Sequence, residues 1–190
     1  MQIGSEDEKK IVGITEVQNL RGLNQKELID LAASQSGDHL TVQLLNGLLI
    51  ADEIHLLSAA QNAINAQNGN YMLSRSLDVE IIVFASTQRQ IGRALDTLGV
   101  YDGLEEIAVV IVGPDVASVE RTILFLVERV GDEIIPPFPD TRERIKRIKD
   151  HYQISDKEID AISEADDVES RMIALSRCLA SRVALVALET

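Results

Sequence analysis

A chain of 190 residues with a formal charge of −13, from 31 acidic and 18 basic side chains, has the length of one domain and too few cations for a broad phosphate-binding surface. With no Trp, three Phe and three Tyr it offers few aromatic platforms for stacking single-stranded bases, and its 45% hydrophobic residues make an aliphatic core. Cys178 is the single cysteine, which excludes an intramolecular disulfide, and no apolar run reaches the roughly 18 residues that cross a bilayer.

The opening MQIGSEDEKK is polar and mixed in charge, unlike a secretory signal, which with the lone Cys178 predicts a cytoplasmic protein. KIVGITEV then predicts a first strand, alternating around Ile11, Val12 and Ile14. LNQKELIDLAASQ predicts a helix with Asn24 as N-cap, Glu27 three residues on, and Leu28, Leu31 and Ala32 as its apolar face. HLTVQLL is a short strand. Residues 52–67 form the clearest helix, with Leu56, Leu57, Ala60, Ala63 and Ile64 on one side and NGN at 68–70 as its end.

LDVEIIVFAS reads two ways: its β-branched residues favour a strand, whereas Leu77, Ile81, Phe84 and Ala85 fit helical spacing. TQRQIGRALDTLG predicts a helix with Ile91, Leu95 and Leu98 inward and Gly99 as terminator. EIAVVIVG is a buried strand, and DVASVERTILFLVERVG a helix capped by Asp115. IIPPFPD, with three of the four prolines, predicts a stiff turn into a helical C-terminal part made of TRERIKRIKDHY, SDKEIDAISEA and a last helix from about Asp167 to Leu188.

Enzyme signatures are missing. The eleven glycines are scattered singly, and His39, His55 and His151 form no metal-spaced pair. His55 suits a bonded core histidine better than a ligand, and Cys178 a small core hydrophobe better than a nucleophile. Asp78 and Glu80, two apart, diverge on a helix, so they are expected as a helix cap and a first-turn acid. A small-molecule pocket around His55, Asp78 and Glu80 is the enzymatic alternative.

The order QLLNGLLIADEIHLLSAAQNAI, SRSLDVEIIVFASTQRQIGRALDTLGV and AVVIVG resembles the tRNA-recruiting, kinase-binding accessory subunit of the KEOPS complex. The resemblance is carried by Asn46, His55-Leu56, Ala59-Ala60, Glu80-Ile81-Ile82, Ser86, Arg89-Gln90-Ile91, Ala94-Leu95 and Gly99, over about residues 40–113. It implies a non-catalytic subunit, without cofactor or metal, of the assembly that makes threonylcarbamoyl-adenosine in tRNA. Such a subunit docks on the kinase-like ATPase and holds the tRNA 3′ CCA end. The implied fold is α/β of the α+β kind: a small, mostly antiparallel sheet surrounded by helices, with LDVEIIVFAS helical. The chain is expected as a single domain, 1–190, with 141–190 a helical part packed on an α/β core of 1–135.

Under this resemblance the tail-binding residues are Asn46, His55, Ser74, Arg75, Ser86, Arg89, Gln90, Ile91 and Arg93. Arg75, Arg89 and Arg93 offset Asp78, Glu80 and Asp96, which favours a small phosphate pocket over a patch; the alternative is that they pair with those acids. TRERIKRIK at 141–149 carries five basic residues and one acid, either a phosphate contact or a solvated face anchored by Ile145 and Ile148. The last helix presents Met172, Leu175, Leu179, Val183 and Val186 on one face, to be covered by the kinase-like partner or buried within the domain.

Overall fold

Branched apolar residues at alternate positions build a sheet that must be covered on both sides, because both parities of its central strand are apolar. In the computed structural model, which describes Gln2–Ile3 and residues 10–188, that sheet has four antiparallel strands: β1 (Gln2–Ile3), β2 (Lys10–Gln18), β3 (Thr41–Asn46) and β4 (Glu106–Gly113). Their order is β1-β2-β4-β3, with β4 paired to β2 from Gly113–Ile11 to Glu106–Gln18 and to β3 from Val112–Thr41 to Ile107–Asn46. The α+β class is as expected. Met1 and residues 4–9 of the polar opening stretch, and Glu189-Thr190, lie outside the described residues.

Among the described residues eight helices surround the sheet: α1 (Gln25–Gln35), α2 (Glu53–Gly69), α3 (Leu77–Ala85), α4 (Ile91–Leu98), α5 (Val116–Val130), α6 (Arg142–Tyr152), α7 (Asp156–Asp160) and α8 (Val168–Val186), with a 3-10 turn at Gly47–Leu49. Strand parity divides the core. Val12, Leu45, Ala108, Val110 and Val112 pack with α2 and α3, while Val17, Val42, Leu44, Ile107, Val109 and Ile111 pack on the other face with α1 and α5. A third cluster joins Ile145, Ile148 and Tyr152 of α6 to Met172, Leu175 and Leu179 of α8. Cys178 is a small core side chain within it.

The start signals hold. Asn24 and Glu27 form a capping box on α1, and Asp115 accepts the Ser118 N–H at the head of α5. Several ends shift. The left-handed residue closing α2 is Asn70, φ 56°, while Gly69 still belongs to the helix. Residues 77–85 are helical, as the resemblance implied and the strand reading did not. Helix α4 begins only at Ile91, and its inward positions are Ala94 and Leu98, three and seven residues on. Leu95 is 41% exposed, against expectation, because it lies off that stripe. The predicted SDKEIDAISEA helix is only Asp156–Asp160. Gly131 (φ 156°) is required: a Cβ there would lie 2.1 Å from the Gln18 carbonyl oxygen.

Candidate functional site

Helix α3 is apolar nearly all round, so it is buried, and its polar ends set the geometry of the two loops beside it. At its entry, Glu80 is 1% exposed and its carboxylate accepts the N–H groups of Leu73 (3.0 Å) and Ser74 (2.7 Å). Ser74 Oγ donates to the Ser76 carbonyl at 2.8 Å. These bonds fix the loop that carries Ser74 and the exposed Arg75. Asp78 is not the expected cap: Ser76 occupies that position, and Asp78 accepts the N–H of its neighbour Val79.

At the exit of α3, the Ala85 carbonyl is the target of two buried side chains. His55 Nε2 lies 2.8 Å from it and the Tyr152 hydroxyl donates to it at 3.2 Å. The Ala51 N–H donates to His55 Nδ1 at 3.4 Å, which assigns the ring proton to Nε2. Ser86, 1% exposed, donates to the Val83 carbonyl and accepts the Gln88 N–H. Thr87 is held at φ 55°, a left-handed conformation that a β-branched residue rarely adopts. Arg89 Nη1 donates to the Val186 carbonyl (3.0 Å), so the turn also caps the C-terminus of α8.

The turn then opens α4 in an electrostatically bare state. Gln90, its N-cap, makes no side-chain capping bond, and no acid occupies the first turn. The first amides of α4 therefore keep their donor capacity beside Arg93. Arg75 and Arg93 enter no ion pair, so the alternative pairing with Asp78, Glu80 and Asp96 does not occur among the described residues.

The expected tail-binding residues thus divide by exposure. Arg75, Gln90 and Arg93 are exposed, Ser74, Arg89 and Ile91 half-buried, while Asn46, His55 and Ser86 are buried and bonded within the chain. These last three sit beneath the loops and support them. Asn46 caps the 3-10 turn by accepting the Leu48 N–H. The two loops flank α3 at opposite ends, about 12 Å apart along a helix of this length. His55, Asp78 and Glu80 likewise do not converge on one cavity, since His55 meets the far end of α3 from Asp78.

Burial holds the His55 pKa below its ordinary value, so its neutral form belongs to the fold. A group with a depressed folded pKa contributes fully above its unfolded value, about 6.5, and loses that contribution as pH falls below it. His151, also lowered by burial, acts with the same sign. Stability is expected to fall below pH about 6.5, by at most about 1.4 kcal/mol per pH unit for His55. Urea unfolding at stepped pH checks this, and His55→Gln should flatten the slope. An unchanged slope in that variant removes His55 from the account.

The C-terminal face takes the second of its two readings, burial within the chain. Met172, Leu175, Leu179, Val183 and Val186 are each at most 3% exposed, filling the seam of α8 with α2, α3 and α6, and they form no open surface for a partner. On α6, Arg144 turns inward at 3% exposure, Arg147 donates to the Leu48 carbonyl and Lys149 pairs with Asp156, leaving Arg142 and Lys146 as cations without an ion-pair partner among the described residues. The inward role of Arg144 was missed, although it shares the helical stripe of Ile145, Ile148 and Tyr152.

Among the described residues no group of three or more His, Cys, Asp or Glu could hold a metal ion, and no helix is long and apolar enough to cross a membrane. A comparison with curated proteins finds no match. A family model described as kinase binding protein CGI-121 matches residues 14–186, which run from within β2 through β3, both loops of α3 and β4 to the end of α8. The chain belongs to this kinase-binding family.

Proposed function

We propose that this protein is a non-catalytic, cytoplasmic subunit of the KEOPS complex, docking on the kinase-like ATPase subunit and holding tRNA by its 3′ CCA tail. The observation that carries the RNA half is the uncapped, acid-free N-terminus of α4 beside an unpaired Arg93, a local positive feature on a chain of charge −13. Kinase docking is supported by the family match. The tail would run from Arg93 and the spare donors of Arg89 toward Arg75. Three stacked nucleotides rise about 10 Å, comparable with the length of α3 between the two loops. His55, Tyr152 and Glu80 act beneath as positioning residues. A single strand gripped at two or three phosphates requires no basic face, which reconciles RNA binding with the acidity of the chain.

The test compares binding of the purified protein to intact tRNA and to the same tRNA lacking its CCA. Intact tRNA should bind with a salt-sensitive affinity that the truncated form loses. Arg75→Glu and Arg93→Glu should each weaken binding more than about tenfold, as expected for losing a charged hydrogen bond to phosphate. Equal binding of both tRNAs, or binding unchanged in the double variant, rejects the tail site. A chain that binds the kinase-like subunit but no tRNA would instead be a structural adaptor.

A further inference from the structure

Along the open edge of the sheet, strand β3 is only partly roofed. Helix α1 covers one flank and α3 with α4 the other, leaving a groove of about 440 Å3 between them. Its floor is Val42 and Leu44, and its walls are Ile29, Val79, Ile82 and Leu95. Two wall residues stand open at the rim: Ile29 is 53% exposed and Leu95 41%. Leu95 is the residue that α4 turns away from its own core, so the groove explains an apolar side chain that intramolecular packing leaves unused.

The charge around the groove narrows what can enter. Asp78 is its only ionisable lining residue, and Asp96 lies on the adjoining helix; neither has a cationic partner among the described residues. Nearby, Lys26 is already engaged by Asp30, and Asp102 accepts the Gln25 N–H. An acidic rim repels nucleic-acid phosphate and favours an apolar segment flanked by Lys or Arg.

We propose that this groove between α1, β3 and α3–α4 receives the kinase partner, which inserts an amphipathic segment with apolar anchors and flanking basic residues. The inference rests on the kinase-binding reading and supplies the surface that α8 does not. Docking of this kind places a few apolar anchors in a groove and uses rim charges to steer encounter. It lies toward the C-terminal end of α4, whereas the Arg93 end of the proposed tail site lies at the N-terminal end of that helix.

The experiment is calorimetric titration of the purified kinase-like subunit from the same organism into the full chain. Ile29→Glu and Leu95→Arg should each weaken binding at least roughly 30-fold, the level of an interface hot spot, with tRNA binding unchanged. Both positions are exposed, so the variants should fold, which circular dichroism checks. Asp78→Lys should slow association and reduce its salt dependence. Affinities within twofold of the parent for both Ile29→Glu and Leu95→Arg overturn the groove assignment while leaving kinase binding intact. A parent chain that binds no kinase-like subunit rejects the underlying reading instead. Variants that abolish self-association without touching kinase affinity would give the groove to a second copy, which also overturns the proposal.

Discussion

Arg144→Met is expected to destabilise the fold by about 3–5 kcal/mol, the range for removing one partner of a buried ion pair, out of a total stability of about 5–15 kcal/mol. The guanidinium is the hub between the C-terminal helices and the sheet. Its Nη1 donates to the carbonyls of Gly47 (3.0 Å) and Ile50 (2.9 Å), and its Nη2 to Glu16 (3.0 Å) and Glu106 (3.3 Å). Glu16 is fully buried, and without Arg144 its carboxylate keeps, among the described residues, only the Phe138 N–H at 2.7 Å. The Met side chain fills the volume but leaves the Glu16 charge uncompensated and removes the donor to the Ile50 carbonyl, while the Gly47 carbonyl keeps the Ile50 N–H at 3.2 Å.

The pH dependence separates this account from simple loss of packing. Burial pushes the Glu16 carboxyl above its ordinary value, while Arg144 and the Phe138 N–H pull it down. A carboxyl with a raised folded pKa contributes stability that is full below its unfolded value and lost as pH rises through the folded one. Removing Arg144 raises that pKa further, so the deficit of the variant should be largest near neutrality and shrink on acidification. Replacing both partners by Met should recover much of the loss, since an apolar pair of similar volume leaves no uncompensated charge. Urea unfolding from pH 4.5 to 7.5 checks this. A deficit that ignores pH, or a double variant no better than the single, removes the ion pair as the cause.

The same residues show where a sequence stops being legible. Strands and helices came through because their periodicity is local: Asn24, Asp115 and Asp167 each head a helix that can be read within a few residues. Long-range polar partnerships did not. Glu16 shares the strand parity of Val12 and Ile14, and Arg144 the helical stripe of Ile145, so each was legible as inward. That they meet across 128 positions was not. The face of α8 was likewise correctly apolar, but an apolar face does not say whether its cover is intramolecular. At the candidate site, the exposed cations and the α3–α4 turn were located by motif order. The burial of Asn46, His55 and Ser86 depended on how α2, α3 and α6 converge, which no local pattern records.

Glu80→Leu is expected to cost about 2–4 kcal/mol, because it leaves the N–H groups of Leu73 and Ser74 without their acceptor at about 1–3 kcal/mol each. The substituted side chain fits an apolar helix, so the defect falls on the entry loop and not on α3 itself. Amide exchange at Leu73 and Ser74 should therefore rise more than exchange at the centre of α3. Glu80→Gln should be milder, since its amide oxygen can accept one of the two N–H groups while its NH2 opposes the other. The functional consequence follows from what the loop carries. Freed from Glu80, Arg75 samples more conformations, and ordering it on a phosphate then costs additional entropy. tRNA affinity should fall in both variants, in the order Leu worse than Gln, while binding of the kinase-like subunit stays at the parent level. Unchanged exchange at Leu73 and Ser74 in Glu80→Leu would sever the structural link. Loosened exchange with undiminished tRNA affinity would mean that the α4 end of the site holds RNA without help from Arg75.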